Sequence, residues 1–108
     1  MQKNLGGMLK GITELQKRMD AVQKEIAETN FEGSAAQGLV KVTMTGKGEL
    51  TRVDIDPTVL TEDADTVGDL VTVAAGKAYE AKEALAKQKL SGIAAGLLPM
   101  GLKIPGLG

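Results

Sequence analysis

A two-residue hydrophobic period is clearest in the stretch VKVTMTGKGELTRVDIDP, residues 40–57. In both halves of this stretch apolar residues alternate with polar ones, which is typical of strands that bury one face. Gly46 and Gly48 lie between the halves, and two glycines that tolerate positive φ predict a tight hairpin turn. Pro57 cannot donate to a sheet ladder, so we expect the second strand to end at Asp56-Pro57. The alternating apolar residues are Val40, Val42, Met44, Val53 and Ile55.

The residues before this hairpin extend the sheet. Phe31 to Ser34 predict a shorter strand, and Ala35 to Gly38 predict its turn into the hairpin. We therefore expect two or three antiparallel strands in the middle of the chain.

A different period, typical of a helix, covers residues 4–28. Seven apolar residues follow one another at spacings of 3, 4, 3, 4, 3 and 4, which is the a/d pattern of a heptad repeat. Gly6, Gly7 and Gly11 weaken the first turns, each by up to about 1 kcal/mol relative to Ala. So regular a seam predicts a facing helix, and the sequence leaves open whether that helix belongs to the same chain or to a second protomer. The seam residues are Leu5, Met8, Ile12, Leu15, Met19, Val22 and Ile26.

Residues 62–90 return to helical spacing, with Thr61 as the expected N-cap and acidic residues in the first turn. Ser91-Gly92 is the expected end of this helix. Residues 91–108 combine Gly and Pro with apolar residues, and we expect them to form a flexible or loosely docked tail. The sequence thus predicts an α+β fold, with one helix–sheet–helix domain over residues 1–90 followed by the tail.

Composition excludes several classes of function. The 108 residues fit one domain and include neither His nor Cys, so zinc fingers, iron–sulfur sites, disulfide scaffolds and His-dependent catalytic triads drop out. Only Phe31 and Tyr79 are aromatic, which leaves little for base stacking. No apolar run approaches the roughly 20 residues that span a bilayer. We expect a cytoplasmic protein that contacts no membrane and needs no cofactor.

Carboxylates are concentrated in the middle of the chain. Residues 49–69 contain seven of the fourteen acidic residues, opposed there only by Arg52. The segment Asp54 to Val59 lacks the glycine that an EF-hand loop requires at its sixth position, so we predict no metal site. Gly46-Lys47-Gly48 also fails as a P-loop, because the glycine required five residues earlier is Lys41. Nothing supplies a pocket or an orienting partner for acid–base chemistry, so we predict no catalytic residues and no enzyme.

The sharpest charge pattern is one lysine every seven residues along the first helix. Lys3, Lys10, Lys17 and Lys24 all take the f position, opposite the apolar seam, and Arg18 flanks them at g. Successive lysines of this lysine line are about 10.5 Å apart along a helix. Two interpretations fit: a ridge that follows DNA phosphates, or the ordinary solvated face of a coiled coil. A second candidate set lies on the second helix: Lys77, Lys82, Lys87 and Lys89.

Four strings and the tail resemble the YbaB/EbfC family of small bacterial nucleoid-associated proteins. The strings are Lys3 to Met8, Glu32 to Ser34, Gly38 to Glu49 and Val53 to Pro57. The resemblance covers essentially the full chain, and the hairpin string is its most specific part. The tail departs from the family pattern, because it lacks the aromatic residue that such tails often carry.

The resemblance implies an α/β homodimer joined through its sheet, with helices that project like the arms of tweezers. It also implies duplex DNA binding with little or moderate sequence preference, and effects on DNA conformation, nucleoid organisation and gene expression; a protein partner from recombination or repair is left open. An alternative interpretation is a prefoldin-like holdase or adaptor scaffold, in which the lysines only solvate the helix. The DNA-contacting residues expected from charge geometry are Lys3, Lys10, Lys17, Arg18, Lys24, Lys82 and Lys87.

Overall fold

The structure, a computed structural model, describes residues 2–97, with side chains over residues 6–96. The predicted α+β class and the order helix, sheet, helix are confirmed, and the third strand is present. In chain order the elements are α1 (Gln2–Glu28), β1 (Asn30–Ala35), β2 (Val40–Thr45), β3 (Leu50–Ile55) and α2 (Ala64–Leu97).

The three strands form one antiparallel sheet in the order β1–β2–β3. Every second residue of β1 and β2 is buried, while the residues between them lie on the opposite face. Residues that pair across an antiparallel sheet lie on the same face, so Val53 of β3, which pairs with the fully buried Val42, lies on the core-facing side. A bulge beside the hairpin turn pairs Leu50 with Met44, so Leu50 also lies on the core-facing side.

The helix α2 packs across β1 and β2 and closes the core on that side of the sheet. Its central contact residues, Ala74 and Ala78, are fully buried. Their small side chains bring the helix backbone so close to β1 that a β-carbon on Gly33 would collide with the Ala74 carbonyl oxygen and the Ala78 nitrogen. The most buried cluster consists of Ala35, Val40, Val42, Val59 and Ala74.

The predicted N-cap of α2 was wrong. Thr61 belongs to a 3-10 turn (Pro57–Thr61), and the cap is Asp63, whose Oδ1 accepts a hydrogen bond of 2.9 Å from the Thr66 N–H. Asp caps a helix at least as well as Thr, and its charge also interacts favourably with the positive end of the helix dipole. Asp56 caps the 3-10 turn in the same way, so the sheet ends at Asp56-Pro57 as predicted.

The predicted end of α2 at Ser91-Gly92 was also wrong, because the helix continues to Leu97. A glycine inside a helix costs about 1 kcal/mol relative to Ala and does not by itself end it. The described part of the helix reaches Leu97, two residues before Pro99. Proline is the stronger stop signal, because it disfavours helical backbone in the residue before it. The predicted tail of residues 91–108 is thus helical up to Leu97, and residues 98–108 lie outside the described part of the chain.

The hairpin turn after β2 uses its two glycines for different reasons. Gly48 has a φ of +88°, as predicted for a tight turn. Gly46 does not have a positive φ; instead, a β-carbon there would collide with the Ile26 carbonyl oxygen near the end of α1. The Gly46 N–H donates to the Thr29 carbonyl oxygen at 3.0 Å, so the turn holds the end of α1 against the sheet.

The helix α1 leaves the sheet alongside the end of α2, and the two run antiparallel. Lys89 Nζ lies 3.1 Å from Glu25 Oε1, and further along, the guanidinium of Arg18 lies against Gly96. Over this length the facing helix that the seam predicts is provided by the same chain. We call α1 together with residues 86–97 of α2 the helical arm; it contributes to a molecule that extends 72 Å in its longest dimension.

Candidate nucleic-acid interface

The lysine line of α1 lies on one exposed face. Because α1 is helical throughout, residues seven apart return to the same side of the helix about 10.5 Å further along. Lys10, Lys17 and Lys24 are exposed. Arg18 is exposed as well, but its guanidinium lies against Gly96 of α2. Lys3 belongs to the same helix, although its side chain lies outside the described part. The line is therefore accessible to a partner on the side opposite the seam.

The candidates on α2 are placed differently from the lysine line. Lys82 is half-buried: its Nζ lies 5.6 Å from the centre of the Tyr79 ring and near Gly48 in the hairpin turn. This cation–π contact holds the ammonium group against the protein. Lys87 is exposed and belongs to the helical arm. The structure thus brings Lys87 to the arm but does not bring Lys82 into the lysine line.

Carboxylates accompany the lysine line, mainly near the sheet. Glu14, Asp20 and Glu28 each lie three or four residues from a lysine of the line, and hence on adjacent positions of the helix surface. Of these, Glu14 alone lies in the outer part of α1, residues 2–18, which carries four Lys and Arg residues. The positive charge of α1 is therefore strongest away from the sheet.

Charge is segregated along the molecule. The helical arm contains seven Lys and Arg residues against four Asp and Glu residues. Residues 49–69, which form β3, the following turn and the start of α2, contain one against seven. These regions lie toward opposite ends of α2, whose 34 residues span about 50 Å. The total charge of −1 therefore conceals a positive arm and a negative opposite end.

Local hydrogen bonds favour the ionised form of two carboxylates at the acidic end, Asp56 and Asp63. Hydrogen bonds from Thr58 hold the pKa of Asp56 below its ordinary value, and hydrogen bonds from Thr66 do the same for Asp63. Within residues 2–97, no group of three acidic side chains is placed to hold a metal ion. This end of the molecule presents negative charge that repels a phosphate backbone.

The comparison with known proteins agrees with the fold and the charge pattern. The sequence matches the family model of the YbaB/EbfC DNA-binding family over residues 1–97. The chain belongs to this family. A structure with a similar fold is the crystal structure of uncharacterized protein HP0035 from Helicobacter pylori, and the two structures superpose with a TM-score of 0.59. The two sequences are 26% identical, and the match covers 87% of this chain and 92% of that chain. Among the residues that the structure describes, no helix is long and apolar enough to cross a membrane.

The sequence prediction missed one feature of this YbaB/EbfC protein, the position of the last turns of α2 beside α1. That placement adds Lys87 and Lys89 to the helical arm, where Lys89 pairs with Glu25. The available signal was the lack of any proline between Pro57 and Pro99, which permits α2 to continue far enough to lie along α1.

Proposed function

We propose that this protein binds duplex DNA mainly through backbone electrostatics, as a nucleoid-associated protein. It belongs to a DNA-binding family, and the observation that carries the proposal is the positive helical arm on a protein that is acidic elsewhere. A net charge of −1 gives little overall attraction for DNA, so binding has to use a local basic surface. The lysine line provides that surface, and residues 49–69 keep the opposite end of the molecule away from DNA.

In this proposal the lysine line contacts phosphates rather than bases. From Lys10 to Lys24 it spans about 21 Å, somewhat under two thirds of a turn of duplex DNA. Each phosphate that a lysine neutralises releases counterions, so the logarithm of the affinity falls with the logarithm of salt concentration by about 0.9 per contact. Phosphate contacts carry no direct sequence information, so we expect similar affinities for unrelated duplexes.

We also infer a homodimer joined through the sheet. Because α2 packs mainly on β1 and β2, the core-facing side of β3 is partly bare: Leu50 is 51% exposed and Val53 42%. A second copy that covers this patch would leave both arms projecting and would present two lysine lines to one duplex. A symmetric dimer needs only one such self-complementary patch. Two arms on one duplex support effects on DNA conformation, nucleoid organisation and gene expression.

Fluorescence anisotropy with a mixed-sequence duplex, across a salt series from about 25 to 200 mM, tests the DNA proposal. The test variant combines Lys10→Glu, Lys17→Glu and Lys24→Glu. We expect it to weaken binding to every sequence alike, with a salt slope smaller by about 2.7 for each protomer engaged. The matched control replaces three exposed basic residues of the sheet and its turn with Glu, so that its net charge equals that of the test variant. These residues are Lys41, Lys47 and Arg52.

Both possible failures are informative. Equal affinity and slope in the two triple variants would show that the lysine line is not the DNA-binding surface. If the unmodified protein binds no duplex even at the lowest salt, the DNA proposal itself fails. A holdase or adaptor function then becomes the better interpretation, and suppressed aggregation of an unfolded client protein is its readout.

A further inference from the structure

The apolar seam of α1 is covered along only part of its length. Near the sheet, Val22 and Ile26 are half-buried. Further out, Met8 is 63% exposed and Ile12 is 52% exposed, although they continue the same heptad pattern. The outer seam, residues 6–14, thus presents Met8 and Ile12 as an apolar surface that the described part of the chain leaves largely bare, whereas Leu15 next to it is half-buried.

The register between the two helices explains why the coverage stops. Glu25 lies beside Lys89, and Arg18 lies beside Gly96, so a step of seven residues on one helix matches seven on the other. This register places Leu97, the last residue of α2 that the structure describes, beside about residue 17 of α1. The segment after Leu97 therefore starts within about one helical turn of the bare outer seam.

The sequence of that segment, LPMGLKIPGLG at residues 98–108, suits an extended peptide with one apolar face. Pro99 and Pro105 fix their own φ angles and favour extended backbone in the residues before them. In an extended peptide, side chains two residues apart lie on the same face. Its apolar residues at every second position are Leu98, Met100, Leu102 and Ile104.

We propose that residues 98–108 dock in extended form along the outer seam of the same chain's α1. The seam from residue 17 to residue 6 is about 16 Å long, and five extended residues cover about the same distance, so residues 98–102 suffice. Docking within one chain also benefits from a high effective concentration, because the segment starts at the seam. The lysine line lies on the opposite side of α1, so this docking is independent of the proposed DNA binding.

An engineered disulfide tests the contact in the full-length protein, which contains no cysteine of its own. The test pair combines Ile12→Cys with Met100→Cys. The matched control combines Lys10→Cys with Met100→Cys, because position 10 lies at the same level of α1 but on the opposite face. We expect the test pair to form an intramolecular disulfide at least about tenfold faster than the control. Equal rates would overturn the docking, and covalent dimers from the test pair would assign the segment to a second copy instead.

Amide hydrogen exchange gives an independent readout without a covalent bond. The variant replaces the four alternating apolar residues of the segment with Ser, and the matched control carries only Lys103→Ser. We expect exchange in residues 6–16 to become several-fold faster in the first variant, while residues 20–28 stay unchanged, because α2 covers them. Unchanged exchange in residues 6–16 would contradict the proposal.

Discussion

The sheet beneath α2 and the outer part of α1 use the same small residue, glycine, with opposite effects. At Gly33 the absence of a β-carbon allows α2 to pack directly against β1. At Gly7 and Gly11 of α1, an added β-carbon would meet nothing within 4 Å. A glycine in a close backbone contact is required for the fold, whereas a glycine on an open helix surface only weakens the helix. The first region is therefore rigid by packing, and the second depends on whatever covers its seam.

The largest expected effect comes from filling the contact at Gly33. In Gly33→Ala the new methyl group meets backbone atoms of α2, which cannot move aside as a side chain can, so we expect a loss of about 3 kcal/mol or more in the free energy of unfolding. Urea denaturation followed by circular dichroism measures it.

The same substitution on the arm is the matched control. Gly7→Ala adds its methyl group in open space, so we expect it to stabilise the protein by up to about 1 kcal/mol. If the two substitutions change the free energy of unfolding by the same amount, close backbone packing at Gly33 does not make that glycine more important than Gly7.

A smaller effect distinguishes the two sides of the core. Val42 on β2 and its partner Val53 on β3 share a face, but Val42 is fully buried and Val53 is 42% exposed. We expect Val42→Ala to cost about 2 kcal/mol at any protein concentration. We expect Val53→Ala to cost less in dilute protein and more as concentration rises, because a second copy covers Val53 in the inferred dimer.

Urea denaturation at two protein concentrations that differ by about 100-fold or more measures the loss in the free energy of unfolding for both variants. Val42→Ala is the internal control, because its loss must not change with concentration. A concentration-independent loss at Val53 would count against β3 as the dimer surface.

Most of the fold could be predicted because it follows from local periods. The alternation in residues 40–45 and 50–55 and the heptad spacing of α1 each need only one element to be recognised. The N-cap of α2 could not be chosen in this way. Thr61 is occupied by the preceding 3-10 turn, where its Oγ1 donates to the Thr58 carbonyl oxygen, and this leaves Asp63 as the cap.

In the candidate site, too, features that depend on one helix could be predicted, and features that depend on contacts between elements could not. The lysine line could be predicted because it follows from helical register alone. The half-burial of Lys82 depends on the hairpin turn meeting α2, and the ion pair between Glu25 and Lys89 depends on α2 running alongside α1. Neither contact leaves a signal within a single element, because both join residues that are far apart in sequence.

The smallest expected effect separates the two candidate caps of α2. Asp63→Ala removes the acceptor of the Thr66 N–H and should lower the Tm, whereas Thr61→Ala leaves that hydrogen bond intact and should lower it less. Circular dichroism at pH 7 compares the two variants with the unmodified protein.

The same pair of variants gains a pH dependence that tests the charge of the cap. Hydrogen bonds from Thr66 lower the pKa of Asp63 in the folded protein. Its contribution is therefore complete above the unfolded carboxyl pKa of about 3.9 and is lost as the pH falls through the lower folded value. The decrease in Tm caused by Asp63→Ala should be largest at pH 7 and should shrink steadily below about pH 4. The decrease caused by Thr61→Ala should not show this pH dependence. An Asp63→Ala difference that stays constant with pH would mean that the carboxylate charge contributes nothing and that Asp63 acts only through its neutral hydrogen-bonding geometry.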